Sequence, residues 1–120
     1  MRRRDRRDGL LEGCAALPAA QLTYPFGDST AVFKVGGKMF ALVSLAEPPG
    51  QVTLKCEPDE AAALCRTYEA ITPGYHMNKR HWITIGLGDS LPGVLLSELV
   101  RGSYELVVAS LPVKLRPAPA

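Results

Sequence analysis

Apolar and polar positions alternate with a period of two from Thr30 to Val35 and again from Lys38 to Leu45. Gly36-Gly37 between them has the composition of a tight primed hairpin turn. In the second run Met39, Ala41, Val43 and Leu45 fall on one face, and Lys38, Phe40, Leu42 and Ser44 on the other. Pro48-Pro49-Gly50 turns the chain into Val52, Leu54 and Cys56, which alternate with Thr53, Lys55 and Glu57. The three runs predict an antiparallel meander with one buried face. Trp82–Leu87, closed by Gly88-Asp89, predicts a fourth strand.

Helical spacing appears in three other places. Leu10, Leu11, Cys14 and Leu17 predict a short first helix, with Asp8 as N-cap and Pro18 as its stop. Residues 21–29 read as a connection carrying Tyr24 and Phe26 among turn formers. Pro58-Asp59-Glu60 opens a second helix with Ala61, Leu64, Cys65 and Tyr68 facing inward, ended by Thr72-Pro73-Gly74. The longest helix starts at Ser90-Leu91-Pro92 and runs to Pro112. Leu95, Leu96, Leu99, Val100, Ser103, Tyr104, Val107 and Val108 form its broad inner band. The class is α+β, with helices packed on one face of an antiparallel sheet. One domain spans residues 8–115, between a basic arm at 1–7 and a frayed tail at 116–120.

Composition narrows the class of protein more than its function. At 120 residues, 47% hydrophobic and 22% charged, the chain can bury a core without a disulfide or metal. No apolar run approaches the roughly 18–20 residues of a membrane span. Net charge is +2, unevenly placed. Residues 1–8 hold five arginines against Asp5 and Asp8, a balance of +3, while the other 112 carry 9 basic and 10 acidic groups, a balance of −1. The arm is expected to be solvated, although such a segment can also attract phosphate. Asp8, Glu12 and Pro18 interrupt the apolar stretch that a signal peptide needs, so the expected compartment is the cytoplasm. Cys14, Cys56 and Cys65 form no CxxC pair and read as small hydrophobes in a reducing environment.

Unusual side chains crowd together only between Tyr75 and Trp82. There Lys79 and Arg80 could neutralise phosphates, Asn78 could bond a phosphate or base edge, and Tyr75 or Trp82 could stack. The competing reading is a polar loop whose Trp82, the chain's only tryptophan, anchors the next strand. His76 and His81 lack a third ligand in local reach, so no metal is expected. No serine has a GxSxG setting, and no cysteine stands in a recognisable catalytic context, so an enzyme is not expected. Lys34, Lys38 and Lys55 are the meander's cations. Alternation leaves them room to share a face with Lys79 and Arg80, or to be ordinary solvated strand lysines.

Several strings then occur in order. They are Tyr24-Pro25-Phe26-Gly27, residues 32–41 (VFKVGGKMFA), Leu54-Lys55-Cys56, residues 72–82 (TPGYHMNKRHW), Gly88-Asp89-Ser90-Leu91-Pro92 and Ser103-Tyr104-Glu105-Leu106-Val107. Together they resemble the MmcQ/YjbR family over roughly residues 8–115. The resemblance implies a CyaY-like, frataxin-like α+β fold, also described as double-wing, and a family commonly labelled DNA-binding. Lys34, Lys38, Lys55, His76, Asn78, Lys79, His81 and Trp82 are the positions it carries over. The chain departs from the family at its Arg-rich start and lacks the acidic first-helix ridge through which frataxins bind iron. The expectation is therefore a non-catalytic DNA-binding protein without cofactor or membrane attachment, monomeric or weakly dimeric. It would use Lys34, Lys38, Lys55, His76, Asn78, Lys79, Arg80, His81 and Trp82. The alternative is a small protein- or ligand-binding module with a pocket around Tyr24, Phe26, His76 and Trp82.

Overall fold

Two glycines at positive φ (Gly36 at 58° and Gly37 at 83°) close the first hairpin. This is the backbone of a primed turn, which non-glycine residues adopt at a cost. The computed structural model describes residues 6–74, 78, 80–88 and 91–117. Its elements, in chain order, are α1 (Arg6–Ala15), β1 (Gln21–Thr23), β2 (Thr30–Val35), β3 (Lys38–Ser44) and β4 (Gln51–Lys55). They continue as α2 (Pro58–Thr67), β5 (Ile71–Pro73), β6 (Trp82–Gly86), α3 (Gly93–Ser110) and a 3-10 turn at Val113–Leu115. The strands form one antiparallel sheet in the order β1-β2-β3-β4-β6-β5.

Where the elements differ from expectation, the reason is local. Helix α1 opens at Arg6, so Arg6 and Arg7 belong to it and not to the arm. Their guanidiniums donate to the carbonyls of Leu91 and Ser44, which ties the helix start to the body. Strands β1 and β5 lie where a connection and a helix end are expected. Each has three residues and pairs along one side only, too short for alternation to register. Helix α2 ends at Thr67, and the chain turns through Tyr68–Ala70 into β5.

All three helices lie on one side of the sheet. Leu96, Leu99, Val100 and Val107 of α3 join Phe33, Val43, Leu54, Ile83 and Ile85 in the core. Leu10 and Cys14 of α1 and Ala61 of α2 complete it. Alternation along β3 fails at one position. Phe33 pairs with Ala41 but Lys34 pairs with Met39, so Phe40 is an unpaired extra residue in a β-bulge. The bulge turns Phe40 inward, against the expected face. Its ring meets Tyr104 edge-on at 5.3 Å and Phe33 at 6.2 Å. Ser103 Oγ clamps this point from α3. It donates to the Phe40 carbonyl at 2.6 Å and accepts from the Lys55 N–H at 2.8 Å.

The cysteines behave as packed apolar groups to different degrees. Burial pushes the Cys14 thiol up to about 12. Burial first, then Glu60, Cys65 and Glu57 nearby, pushes Cys56 up to about 11. Both folded values lie above the ordinary 9.0, so the folded chain keeps protons that the unfolded chain releases. Stability from these groups is therefore full below pH 9 and is lost as pH rises toward 11–12. Urea midpoints measured from pH 8 to 10.5 should fall in wild type and fall less in Cys14→Ala. Equal slopes would show that Cys14 does not titrate this way.

Candidate functional site

With the helices on one side, the other side of the sheet carries a second set of side chains, and register places them in rows. Trp82 pairs with Lys55, Met39 with Lys34, and Lys34 with Gln21. Cross-strand partners share a face, so Trp82 and Lys55 form one outer pair on β6 and β4, and Met39, Lys34 and Gln21 continue the outer side from β3 to β1, beyond the last β3–β4 pair at Ala41 and Leu54. The neighbouring row runs Thr72, Thr84, Thr53, Leu42, Val32, Thr23. Thr53 and Thr84 join their hydroxyls at 3.1 Å, which satisfies both buried groups within the face. Lys34, Lys55 and Trp82 are half-buried. Neither ammonium has an ion-pair partner among the described residues.

Charge is sorted between the two sides. None of the six strands contains Asp or Glu, whereas three contribute the lysines Lys34, Lys38 and Lys55. Among the described residues six carboxylates, Asp8, Glu12, Asp59, Glu60, Glu98 and Glu105, are on helices together with Arg6, Arg7, Arg66 and Arg101, and Asp28, Glu47, Glu57 and Glu69 lie in connections. A cleft of about 300 Å³ between α2 and α3 is bordered by Glu57, Glu60, Glu98 and Glu105. Lys55, at the end of β4, also borders it, and its backbone N–H reaches Ser103 there. Pairing with Trp82 sets its side chain on the outer face.

The Trp82 main chain is positioned by Gly74, the residue after β5. The Gly74 N–H donates to the Trp82 carbonyl at 2.8 Å. A Cβ at Gly74 would fall 2.7 Å from the Trp82 Cβ, so only glycine allows this approach without a shift. Trp82 therefore sits on the outer face and is not an anchor in the helix-side core.

The remaining candidates are dispersed. The bulge reverses the phase of β3, so Lys38 pairs with Val35 and its ammonium donates to Ser110 Oγ of α3 at 3.5 Å. Lys38 is thereby separated from Lys34 and Lys55. Asn78 makes a local turn: its Oδ1 accepts from the Arg80 N–H at 3.0 Å, and its carbonyl accepts from the His81 N–H at 3.1 Å. Arg80 lines a cleft with Pro58, Asp59, Ala61 and Pro73 on the α2 side of the sheet. His81 is exposed and extends the β4–β6 ladder, its carbonyl accepting from the Cys56 N–H at 2.8 Å. His76 and Lys79 lie outside the described residues, as does Tyr75. Tyr24 and Phe26 are exposed beyond β1, and four strand spacings, roughly 19 Å, separate β1 from β6. Among the described residues Tyr24 and Phe26 therefore stand apart from Trp82. Met39, Gln21 and Thr72 join the face without having been singled out, because only the bulge and the edge strands put them there. No described helix is long and apolar enough to cross a membrane.

Comparison with known proteins agrees with this architecture. The YjbR family model matches residues 15–106. "Uncharacterized protein YbdF" of Escherichia coli O157:H7 is 41% identical over 95 residues, covering 79% of this chain and 78% of that protein. "Uncharacterized protein YjbR" of E. coli K12 is 35% identical over 107 residues, covering 89% of this chain and 91% of that protein. Among solved structures, Deinococcus radiodurans protein DR2400, a DUF419 domain, superposes with a TM-score of 0.85 at 38% identity, covering 92% of this chain and 84% of that one. A Pseudomonas syringae protein does so at 0.72 and 25% identity, covering 84% of this chain and 97% of that one. By family model, sequence identity and fold, the chain belongs to the YjbR family.

Proposed function

We propose that this protein binds nucleic acid, without catalysis, through phosphate contacts on the outer face of its sheet. The observation that carries the reading is the sorting of charge: Lys34 and Lys55 on a face whose strands hold no carboxylate. Outside residues 1–8 the chain has a balance of −1, which opposes binding of a polyanion if the charge is evenly spread. Segregation removes that objection, because a phosphate approaching the sheet meets cations first. The frataxin-like description of the fold belongs to the same proposal, since a sheet covered by helices on one side only offers such a face.

The test is fluorescence anisotropy with labelled DNA, titrated across salt concentrations. The full chain is compared with Lys34→Gln/Lys55→Gln, with Arg2→Gln/Arg3→Gln/Arg4→Gln and with Lys114→Gln beyond α3. Each phosphate contact contributes about 0.7–0.9 to the slope of log affinity against log salt. The sheet variant should lower the slope by roughly 1.5 and weaken binding, with Lys114→Gln unchanged. Binding that survives the sheet variant but vanishes with the three arginines would place the interaction on the arm and overturn the reading.

A further inference from the structure

We infer that the nucleic acid taken by this face is single-stranded, with a base stacked on the indole of Trp82; this rests on the reading above. Three features of the face point the same way. The first is its width. Six strands span five spacings, roughly 24 Å, twice the ~12 Å opening of a duplex major groove, so the sheet cannot enter one.

The second is the fate of the one ribbon narrow enough to enter. The β2–β3 hairpin is held at its turn by the end of α3: Lys38 donates to Ser110, and Gly36 lies so close to Leu111, the residue after the helix, that a Cβ would meet its side chain at 2.6 Å. The third is the position of the only tryptophan. Trp82 is half-buried on the face, opposite Lys55. A base inside a duplex keeps both of its faces stacked on its neighbours and presents none to such a ring. An unpaired base does present one.

The order of groups along the row fits a strand crossing the sheet. From Trp82 on β6 the next position is Lys55 on β4, and Lys34 follows two strands further, roughly 10 Å on. A backbone leaving the stacked base meets the two ammoniums in turn. Met39, on the intervening strand, pairs with Lys34, and Thr72 and Gln21 offer uncharged hydrogen-bonding groups on the edge strands. Such a surface has little to distinguish one base from another and should bind with weak sequence preference.

Because the chain has a single tryptophan, its own emission reports the contact. The full chain is titrated with oligodeoxythymidylate and, separately, with a mixed-sequence duplex, following Trp82 emission and anisotropy together. Emission should be quenched by the single strand, which should bind at least about tenfold tighter than the duplex. Trp82→Leu should lose roughly five- to hundredfold in single-strand affinity, the range of one base–aromatic stack, while Trp82→Phe retains most of it. Thermal melts of both variants check that they fold, and wild-type quenching tests the contact without them. Suppose instead that duplex binds as tightly as single strand, or that emission is unmoved while the lysine variant still weakens binding. The nucleic-acid reading then stands and the single-strand inference is overturned. If neither probe binds at all, both fall.

Discussion

Replacing Phe40 by alanine is expected to destabilise the domain by about 3–5 kcal/mol, the usual cost of emptying an aromatic site in a core. At this chain length that lowers the melting temperature by roughly 10–25 °C. The ring has no solvent exposure and sits between Phe33 and Tyr104, with the Tyr104 contact T-shaped at 87°. Edge-to-face pairs of this kind add about 0.5–1.5 kcal/mol beyond the area they bury. Phe40→Leu should recover part of the loss and Phe40→Ala none. Urea denaturation checks this, and an alanine variant within about 1 kcal/mol of wild type would mean that the site collapses around the smaller side chain. The consequence for the outer face is specific. The bulge is the reason that Met39 faces outward beside Lys34 while Lys38 turns to α3. A strand that loses the ring holding its bulge can regain regular pairing, which would return Lys38 to the outer side.

Removing the Ser103 hydroxyl should have the next largest effect, about 2–4 kcal/mol for Ser103→Ala. The residue is fully buried. One oxygen serves two main-chain groups, the buried Phe40 carbonyl at 2.6 Å and the part-buried Lys55 N–H at 2.8 Å. Each group left without a partner costs about 1–3 kcal/mol, far more than a net hydrogen bond is worth. Ser110→Ala is the internal control. Its hydroxyl donates to Val107 at 2.6 Å within the same helix and stands exposed, so its loss should fall within about 0.5 kcal/mol. Hydrogen exchange provides an independent readout, because the Lys55 amide should exchange faster in Ser103→Ala. Comparable stability losses for the two serines, with unchanged exchange at Lys55, would rule out the clamp. Phe40 and Ser103 act on the same bulge, so the double variant should lose less than the two singles together.

These two residues connect the packing to the proposed function. Ser103 fixes the main chain of Lys55, Phe40 sets the phase of Met39 opposite Lys34, and Gly74 lets β5 close on Trp82. The three groups of the outer row are thus each held by a buried contact made elsewhere. A binding surface on strands supported in this way is preorganised and loses little conformational freedom when a ligand arrives.

The local pattern of the chain determined most of the fold. The period of two in 30–35, 38–45 and 52–56, broken by Gly36-Gly37 and Pro48-Pro49-Gly50, was sufficient for the meander, and Ala61 and Leu96–Val107 marked the inner helix faces. The ordered motifs were sufficient for the family. Sequence also brought forward Trp82, Lys34 and Lys55 as candidates, though mixed with Lys38, Arg80, His81 and Asn78. Only the tertiary structure separated them. A period of two assigns faces relative to a neighbour, so one inserted residue, Phe40, inverts every assignment on one side of it. That insertion has no local signature, because what stabilises it is a ring pocket and a hydroxyl supplied by α3, some sixty residues along the chain. Likewise β1 and β5 exist because longer strands offer them a partner, and three residues carry no pattern of their own. Lys34 and Lys55 face outward by the alternation written in the chain; that Lys38 does not was decided by packing.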